Sequence, residues 1–181
     1  MQISQTAIDG VLIIKPRLFE DPRGYFFESY NQKEFNLAVN QDYHFVQDNQ
    51  SMSSQGTLRG IHFQTEPMAQ AKLVQVLEGE IYDVAVDLRK DSITYCKWVS
   101  VKLSKSNQQQ LFIPEGFGHA FLTISSSANV MYKVNKYYSK EHEKAIRYDD
   151  PKLNIKWPLD NIKLSTKDKN ASFISENVKY F

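Results

Sequence analysis

Short runs of aromatic and β-branched residues alternate in character along this chain, and its seven glycines and six prolines sit between those runs rather than gathering in one linker. A period of two means strands with one face turned to a core, so a chain of this kind has to dispose of its sheet edges. Closure into a barrel, or two stacked sheets of a jelly roll, does that, and the inside of such a barrel is a natural ligand site. With 181 residues there is room for one well-buried core and not for two, so residues 1–181 are expected to form a single domain.

Residues 72–77 and 80–88 flank the turn signal Glu78-Gly79, and together they predict a β-hairpin. Further strands are predicted over 97–103 and 130–137. Helical signals are weaker: residues 31–39 predict a short helix with Phe35 on its apolar face, and the tail after Pro158 mixes charges with few periodic apolar positions.

Lysine plus arginine total 22 against 21 aspartates and glutamates, so no whole-protein field recruits nucleic acid or an anionic membrane. Any anion has to be held by local arginines. The longest early apolar run, Val11 to Ile14, falls far short of a signal-peptide core or of the roughly 20 residues that span a bilayer. The expected location is therefore the cytoplasm. Cys96 is the only cysteine, which excludes an internal disulfide and a thiolate metal site and leaves a packing role for its side chain.

Polar residues in phase with apolar ones are the informative positions. Tyr132 shares its face with Val130 and Val134, and Lys72 shares its face with Val74 and Val76, although Leu73 and Leu77 make the other face apolar too. Lys102 lies opposite Val99, Val101 and Leu103 and reads as solvated. An inward Lys72 must either pair with a carboxylate or meet the developing charge of a ligand. His62 lies in the run Leu58-Arg59-Gly60-Ile61-His62-Phe63-Gln64, where regular alternation sends Arg59 and His62 to opposite faces. Singly, each has an ordinary reading: a satisfied core histidine, a buried tyrosine ring with one hydroxyl partner, a lysine at a barrel rim.

Gly56 through His62, and Pro114-Glu115-Gly116-Phe117-Gly118-His119, resemble the two sequence motifs of the cupin superfamily of double-stranded β-helix barrels. Metal-binding cupins carry a second histidine where Gln64 stands and a glutamate close to Met68-Ala69. Two imidazoles fall short of the three protein ligands usual at a catalytic metal, so no metal is expected.

Leu58 to Gln64, Ala71-Lys72-Leu73-Val74, Asp83-Val84-Ala85-Val86-Asp87-Leu88-Arg89, Thr94-Tyr95, Phe112-Ile113-Pro114-Glu115-Gly116-Phe117, Asp150-Pro151 and Ile155-Lys156-Trp157-Pro158 together resemble the dTDP-4-dehydrorhamnose 3,5-epimerase family. Matching segments run in family order from Phe19-Glu20-Asp21-Pro22-Arg23-Gly24 almost to the C-terminus. The resemblance implies a mainly β, cupin-type jelly-roll barrel with a few short peripheral helices. It implies an isomerase without cofactor that inverts C3 and C5 of a dTDP-linked 4-keto-6-deoxyhexose, the step before reduction to dTDP-L-rhamnose.

By the same resemblance His62 is the general base, Asp168 the carboxylate that orients it, Lys72 the cation that neutralises the C4 enolate, and Tyr132 the acid on the opposite sugar face. His119 is a supporting residue beside the sugar. Phe19, Arg23, Glu28, Gln47, Asn49, Arg59 and Tyr138 are the implied substrate-binding residues, the arginines matching a diphosphate with forked guanidinium groups. Read without the family, Asp168 is a surface charge, Arg23 caps a turn, and Gln47 and Asn49 satisfy loop backbone. A homodimer is implied, with N-terminal strands helping to complete the neighbouring site. The chain departs from the family where Ile93 replaces a common proline, Cys96 a common glycine, and Gly118 and Ala120 stand where Ala and Gly are frequent.

Three other readings compete. One is an epimerase acting at C3 only or C5 only. Another is a non-catalytic sugar-nucleotide-binding barrel, which would need no base, lysine or acid. The third is a metal-dependent cupin oxygenase, against which the missing second histidine argues.

Overall fold

In a computed structural model, which describes residues 1–175 and 178–181, thirteen strands and two short helices follow one another along the described chain. The strands are β1 (Gln2–Gln5), β2 (Leu12–Lys15), β3 (Phe19–Asp21), β4 (Gly24–Phe26), β5 (Gln47–Ser54), β6 (Leu58–Gln64), β7 (Lys72–Glu78), β8 (Glu80–Asp87), β9 (Trp98–Ser104), β10 (Gln110–Ile113), β11 (Phe117–Thr123), β12 (Ser127–Val134) and β13 (Glu143–Ala145). The helices are α1 (Gln32–Val39) and α2 (Thr166–Lys169).

Two antiparallel sheets face each other, one ordered β1-β2-β10-β7-β12-β5 and the other β13-β6-β11-β8-β9, while β3 and β4 form a separate two-stranded ribbon. Apolar side chains from both sheets meet in the interior: Val74, Val76, Leu111, Ile113 and Val130 from the first, Ile81, Ala85, Leu103 and Phe121 from the second. This is the two-sheet barrel that the alternating runs predict.

The expected hairpin over 72–88 does not form, although both of its strands do. β7 pairs with β10 and β12 in one sheet, and β8 pairs with β11 and β9 in the other. Glu78-Gly79 is a corner between layers. Gly79 has φ +80°, and a Cβ there would stand 2.0 Å from the Ser127 carbonyl oxygen. The same turn chemistry serves a hairpin or a corner; the choice falls to the inner faces of β7 and β8, which bury Val74 and Val76 against Ile81 and Ala85 across the barrel.

Each sheet is also covered on its outer face, so several strands are apolar on both sides. Leu12, Ile14, Leu73 and Phe112 lie beneath α1, whose fully buried Phe35 stacks edge-on with Phe112 and Tyr43. That is why Leu73 is apolar while Lys72 still points inward. The helix starts where predicted, at the Asn31 N-cap, whose side chain accepts from the Glu34 amide at 3.2 Å, and it ends on left-handed Asn40. On the other sheet, Phe63 meets the C-terminal rings of Tyr180 and Phe181 at 5.4 and 5.7 Å between centroids.

The strand predicted over 130–137 ends three residues early and begins three early. Asn135 leaves the ladder to accept from the Ala71 amide and to donate to Glu115, which closes the strand.

Candidate active site

A cavity of about 230 Å³ opens between the sheets at one end of the barrel. The first sheet contributes Gln47, Asn49 and Ser51 from β5, Lys72 from β7 and Tyr132 from β12. The second contributes Arg59 and His62 from β6 and His119 from β11. Glu143 of β13 and Tyr138 of the preceding loop form the rim.

Strand register explains most of this gathering. Tyr132 is paired directly with Asn49 across β12 and β5, and lies diagonally from Lys72, whose partner on β12 is Val134. The Lys72 ammonium sits 5.8 Å from the centroid of the Tyr132 ring. His62 and His119 are directly opposed across β6 and β11.

Arg59 departs from the sequence expectation. Two residues of β6, Gly60 and Ile61, stand against the single Ala120 of β11 between the pairs Arg59↔Phe121 and His62↔His119. This bulge adds one residue to the alternation and brings Arg59 to the same cavity as His62. Only glycine fits at position 60, where φ is +131° and a Cβ would lie 2.4 Å from that of Ala120.

Each histidine is held by a carboxylate. His62 Nε2 bonds to Asp168, whose side chain is 3 % exposed. Asp168 comes from α2, capped by Ser165, and the Ser165 hydroxyl donates to its second oxygen at 2.9 Å. Burial pushes the Asp168 carboxyl up, but the bonds from His62 and Ser165 outweigh it and hold the group below its usual value. His62 therefore has a fixed ring orientation, with Nδ1 left for a ligand. His119 Nε2 bonds at 2.5 Å to Asp83, a carboxylate with no exposed surface. Burial lowers the His119 pKa against the pull of Asp83, favouring the neutral ring.

Lys72 is 7 % exposed, and among the described residues its Nζ donates only to the His62 carbonyl, at 3.5 Å. Burial depresses its pKa to about 8, with Asp83 and then Glu143 opposing the fall. At neutral pH the ammonium is charged and thinly solvated. Burial raises the pKa of Tyr132, and Arg59 only partly offsets this, so the phenol holds its proton at neutral pH.

At the rim, Gln47 donates to Asn49 at 2.8 Å and accepts from the Tyr138 amide at 3.2 Å. The Tyr138 hydroxyl donates to Glu143 at 3.1 Å, and Glu143 pairs with Lys167, the neighbour of Asp168. Four of the seven implied substrate-binding residues are thus brought together, with Arg59 fixed by a bond to Ser53 at 3.0 Å. The other three, Phe19, Arg23 and Glu28, are not among the residues lining this cavity. They belong to the exposed β3–β4 ribbon and the segment after it, and Arg23 is paired with Asp21 of its own turn.

Sequence reasoning passed over Asp83 and Glu143. Asp83 carried a usable signal, an acid in phase with Ile81 and Ala85. Glu143, in a three-residue strand after a loop, carried none. Gln64 is engaged structurally, donating to the carbonyls of Met68 and Tyr137 and accepting from the Ser139 amide. Among the described residues no cluster of three or more His, Cys, Asp or Glu could hold a metal ion. No helix among the described residues is long and apolar enough to cross a membrane.

A two-sheet barrel whose open end carries two histidine–carboxylate pairs, a buried lysine and a protonated phenol is a cupin-type barrel furnished for acid–base chemistry. A family model described as dTDP-4-dehydrorhamnose 3,5-epimerase matches residues 5–176, and the chain belongs to that family. It is 52% identical over 171 residues to the dTDP-4-dehydrorhamnose 3,5-epimerase of Shigella flexneri, covering 94% of each chain. It is 36% identical over 176 residues to a dTDP-4-dehydrorhamnose 3-epimerase of Streptomyces niveus, covering 97% of this chain and 85% of that one. Its fold matches a crystal structure of the dTDP-6-deoxy-D-glucose-3,5-epimerase of Legionella pneumophila in complex with dTDP-4-keto-L-rhamnose. There the TM-score is 0.92 and the identity 45%, over 95% of this chain and 92% of that one.

Proposed function

We propose that this protein converts dTDP-4-dehydro-6-deoxy-D-glucose to dTDP-4-dehydro-L-rhamnose by moving protons at C3 and C5. The observation that carries the reading is the placement of His62 and Tyr132 on facing sheets with the Lys72 ammonium buried beside them. Inversion of a carbon beside a ketone needs proton removal on one face and proton return on the other.

In this mechanism Nδ1 of His62 takes the proton from carbon, and the C–H electron pair moves into the carbonyl to leave an enolate oxygen at C4. Asp168 stabilises the imidazolium, and the Lys72 ammonium stabilises the oxyanion in a site where a charge interaction is stronger than in water. Tyr132 then gives its phenolic proton to the opposite face, and the ketone reforms. Solvent returns His62 to its neutral form and restores the Tyr132 proton before the second carbon reacts. No cofactor enters the balance.

Arg59, Gln47, Asn49 and Tyr138 hold the nucleotide side of the substrate, and His119 flanks the sugar. Phe19, Arg23 and Glu28 act in a neighbouring copy: the β3–β4 ribbon leaves Phe19, Tyr25 and Phe26 at least half exposed, an arrangement suited to a homodimer in which each ribbon completes the other's cavity. Residues 1–181 work as one domain, in the cytoplasm.

Proton NMR with dTDP-4-keto-6-deoxyglucose in deuterated water, without added metal, tests the reading. Deuterium at C3 and C5 with inversion at both is the expected result. Exchange at one carbon would make it a single-centre epimerase, and binding without exchange would make it a binding barrel. His62→Ala should slow turnover by roughly 10²- to 10⁴-fold, the range for loss of a general base.

A further inference from the structure

Lys72 is a buried charge with little local compensation. Among the described residues no carboxylate lies within ion-pair distance of its ammonium, and its single hydrogen bond is long. The charged and titratable groups around it come from five strands: Arg59 and His62 on β6, Asp83 on β8, His119 on β11, Tyr132 on β12 and Glu143 on β13, with Asp168 behind His62 and β10, the other partner of β7, contributing none. One of these, Arg59, is a cation like Lys72 itself. Of the carboxylates, Asp168 is bound by His62 and Ser165, and Glu143 by Lys167 and Tyr138.

Asp83 differs. It has no exposed surface, one oxygen accepts from His119, and the other is buried and takes no hydrogen bond among the described residues. Nothing in its own sheet uses that oxygen. A buried carboxylate so placed needs a positive charge, just as a buried ammonium needs a negative one.

We infer that Asp83 is a positioning residue that acts through Lys72: anchored by His119, its carboxylate is the fixed counter-charge that keeps the ammonium charged inside the barrel. Its place fits the task. Asp83 sits diagonally from His119 across β8 and β11, where Ala85 is the direct partner, so the histidine ring takes one oxygen and holds the carboxylate still. The direction of the charge effects agrees, since Asp83 is the first of the two groups that hold the Lys72 pKa up against burial. A counter-charge held at a distance, rather than in a direct ion pair, keeps Lys72 charged without occupying the face that receives the oxyanion. The inference rests on the proposed role of Lys72.

The test is Asp83→Asn, which keeps the shape and an acceptor for His119 but removes the charge. Protein labelled with 13C at the lysine Cε positions, with the Lys72 signal assigned through Lys72→Met, is titrated by NMR beside the pH profile of kcat. In the wild type the Lys72 signal should titrate near pH 8. In the variant it should titrate lower by about one unit or more, the scale of losing a nearby opposite charge. The alkaline limb of kcat should move with it, so that for a one-unit fall the loss of kcat at pH 8 exceeds the loss at pH 6 by about fivefold. An unmoved Lys72 titration overturns the inference. A moved titration with an unmoved kcat limb upholds Asp83 as the counter-charge and instead overturns Lys72 as the oxyanion partner. Should Asp83→Asn not fold, Asp83→Ser carries the same titration with the same two readings.

Discussion

At the scale of single residues, the cavity separates charge states that one solvent would hold alike. Burial brings the Lys72 ammonium down to about 8 and pushes the Tyr132 phenol up, so near neutral pH the barrel presents a cation and a neutral acid together. In the proposed mechanism the Lys72 charge stabilises the oxyanion, so kcat should fall as pH rises through about 8. Stability moves the other way. Between about 8 and the ordinary lysine value the unfolded chain binds the extra proton, so this group makes folding more favourable as pH rises through that window. Activity lost on an alkaline limb without loss of thermal stability is the expected pairing, checked by kcat and melting curves over the same buffers. If Tyr132 is the acid of the proposed mechanism, Tyr132→Phe separates the two proton steps. Solvent exchange at C3 and C5 should survive better than inversion, and equal loss of both in deuterium-exchange NMR would sink the two-face mechanism. Cys96 is settled at this scale too: it is buried, its φ is +62°, and burial raises its thiol pKa. The left-handed backbone is a physical reason for the glycine common at that position in the family.

At the scale of elements, the site depends on irregularities more than on ideal strands. The bulge at Gly60-Ile61 turns Arg59 into the cavity, and α2, a helix of four residues, brings Asp168 behind His62 from the far end of the chain. Gly60→Ala would force a methyl group into Ala120 and place alanine at a φ that L residues rarely adopt. It should destabilise the protein by at least ~2 kcal/mol, measured by urea unfolding. Nucleotide affinity should weaken as well, because Arg59 is re-aimed along with the bulge. The Tyr138–Glu143–Lys167 contacts tie the cavity rim to the helix whose Asp168 holds the His62 ring, so ordering of the rim and orientation of that ring are physically linked.

At the scale of the whole molecule, the open question is how many chains make one site. Arg23 and Phe19 are implied in substrate binding yet stand on an exposed ribbon away from their own cavity. If the ribbon serves a partner, a dimer of one Arg23→Ala chain and one His62→Ala chain has one site with both defects and one with neither. Mixing the two inactive variants under conditions that exchange subunits should therefore restore turnover that neither shows alone. Failure of the mixture, with exchange verified by mass spectrometry, would place Arg23 in its own chain's site or outside any site.

The order of residues by itself determined the β class, five of the thirteen described strands, the α1 helix from Asn31 with its buried Phe35, and the inward direction of Tyr132, while Lys72, with apolar neighbours on both faces, took its inward reading from the family resemblance. These follow from periodicity and capping chemistry, which act between residues close along the chain. Motif resemblance added the family and the long-range partnership of His62 with Asp168, which no local pattern contains. Tertiary structure alone decided the rest. It made Glu78-Gly79 a corner between sheets instead of a hairpin, because only the packing of β7 and β8 across the barrel distinguishes the two. It brought Arg59 beside His62, because a bulge is a property of two paired strands rather than of one. It also made Asp83 a buried partner of His119, because burial and pairing are set where separate strands meet.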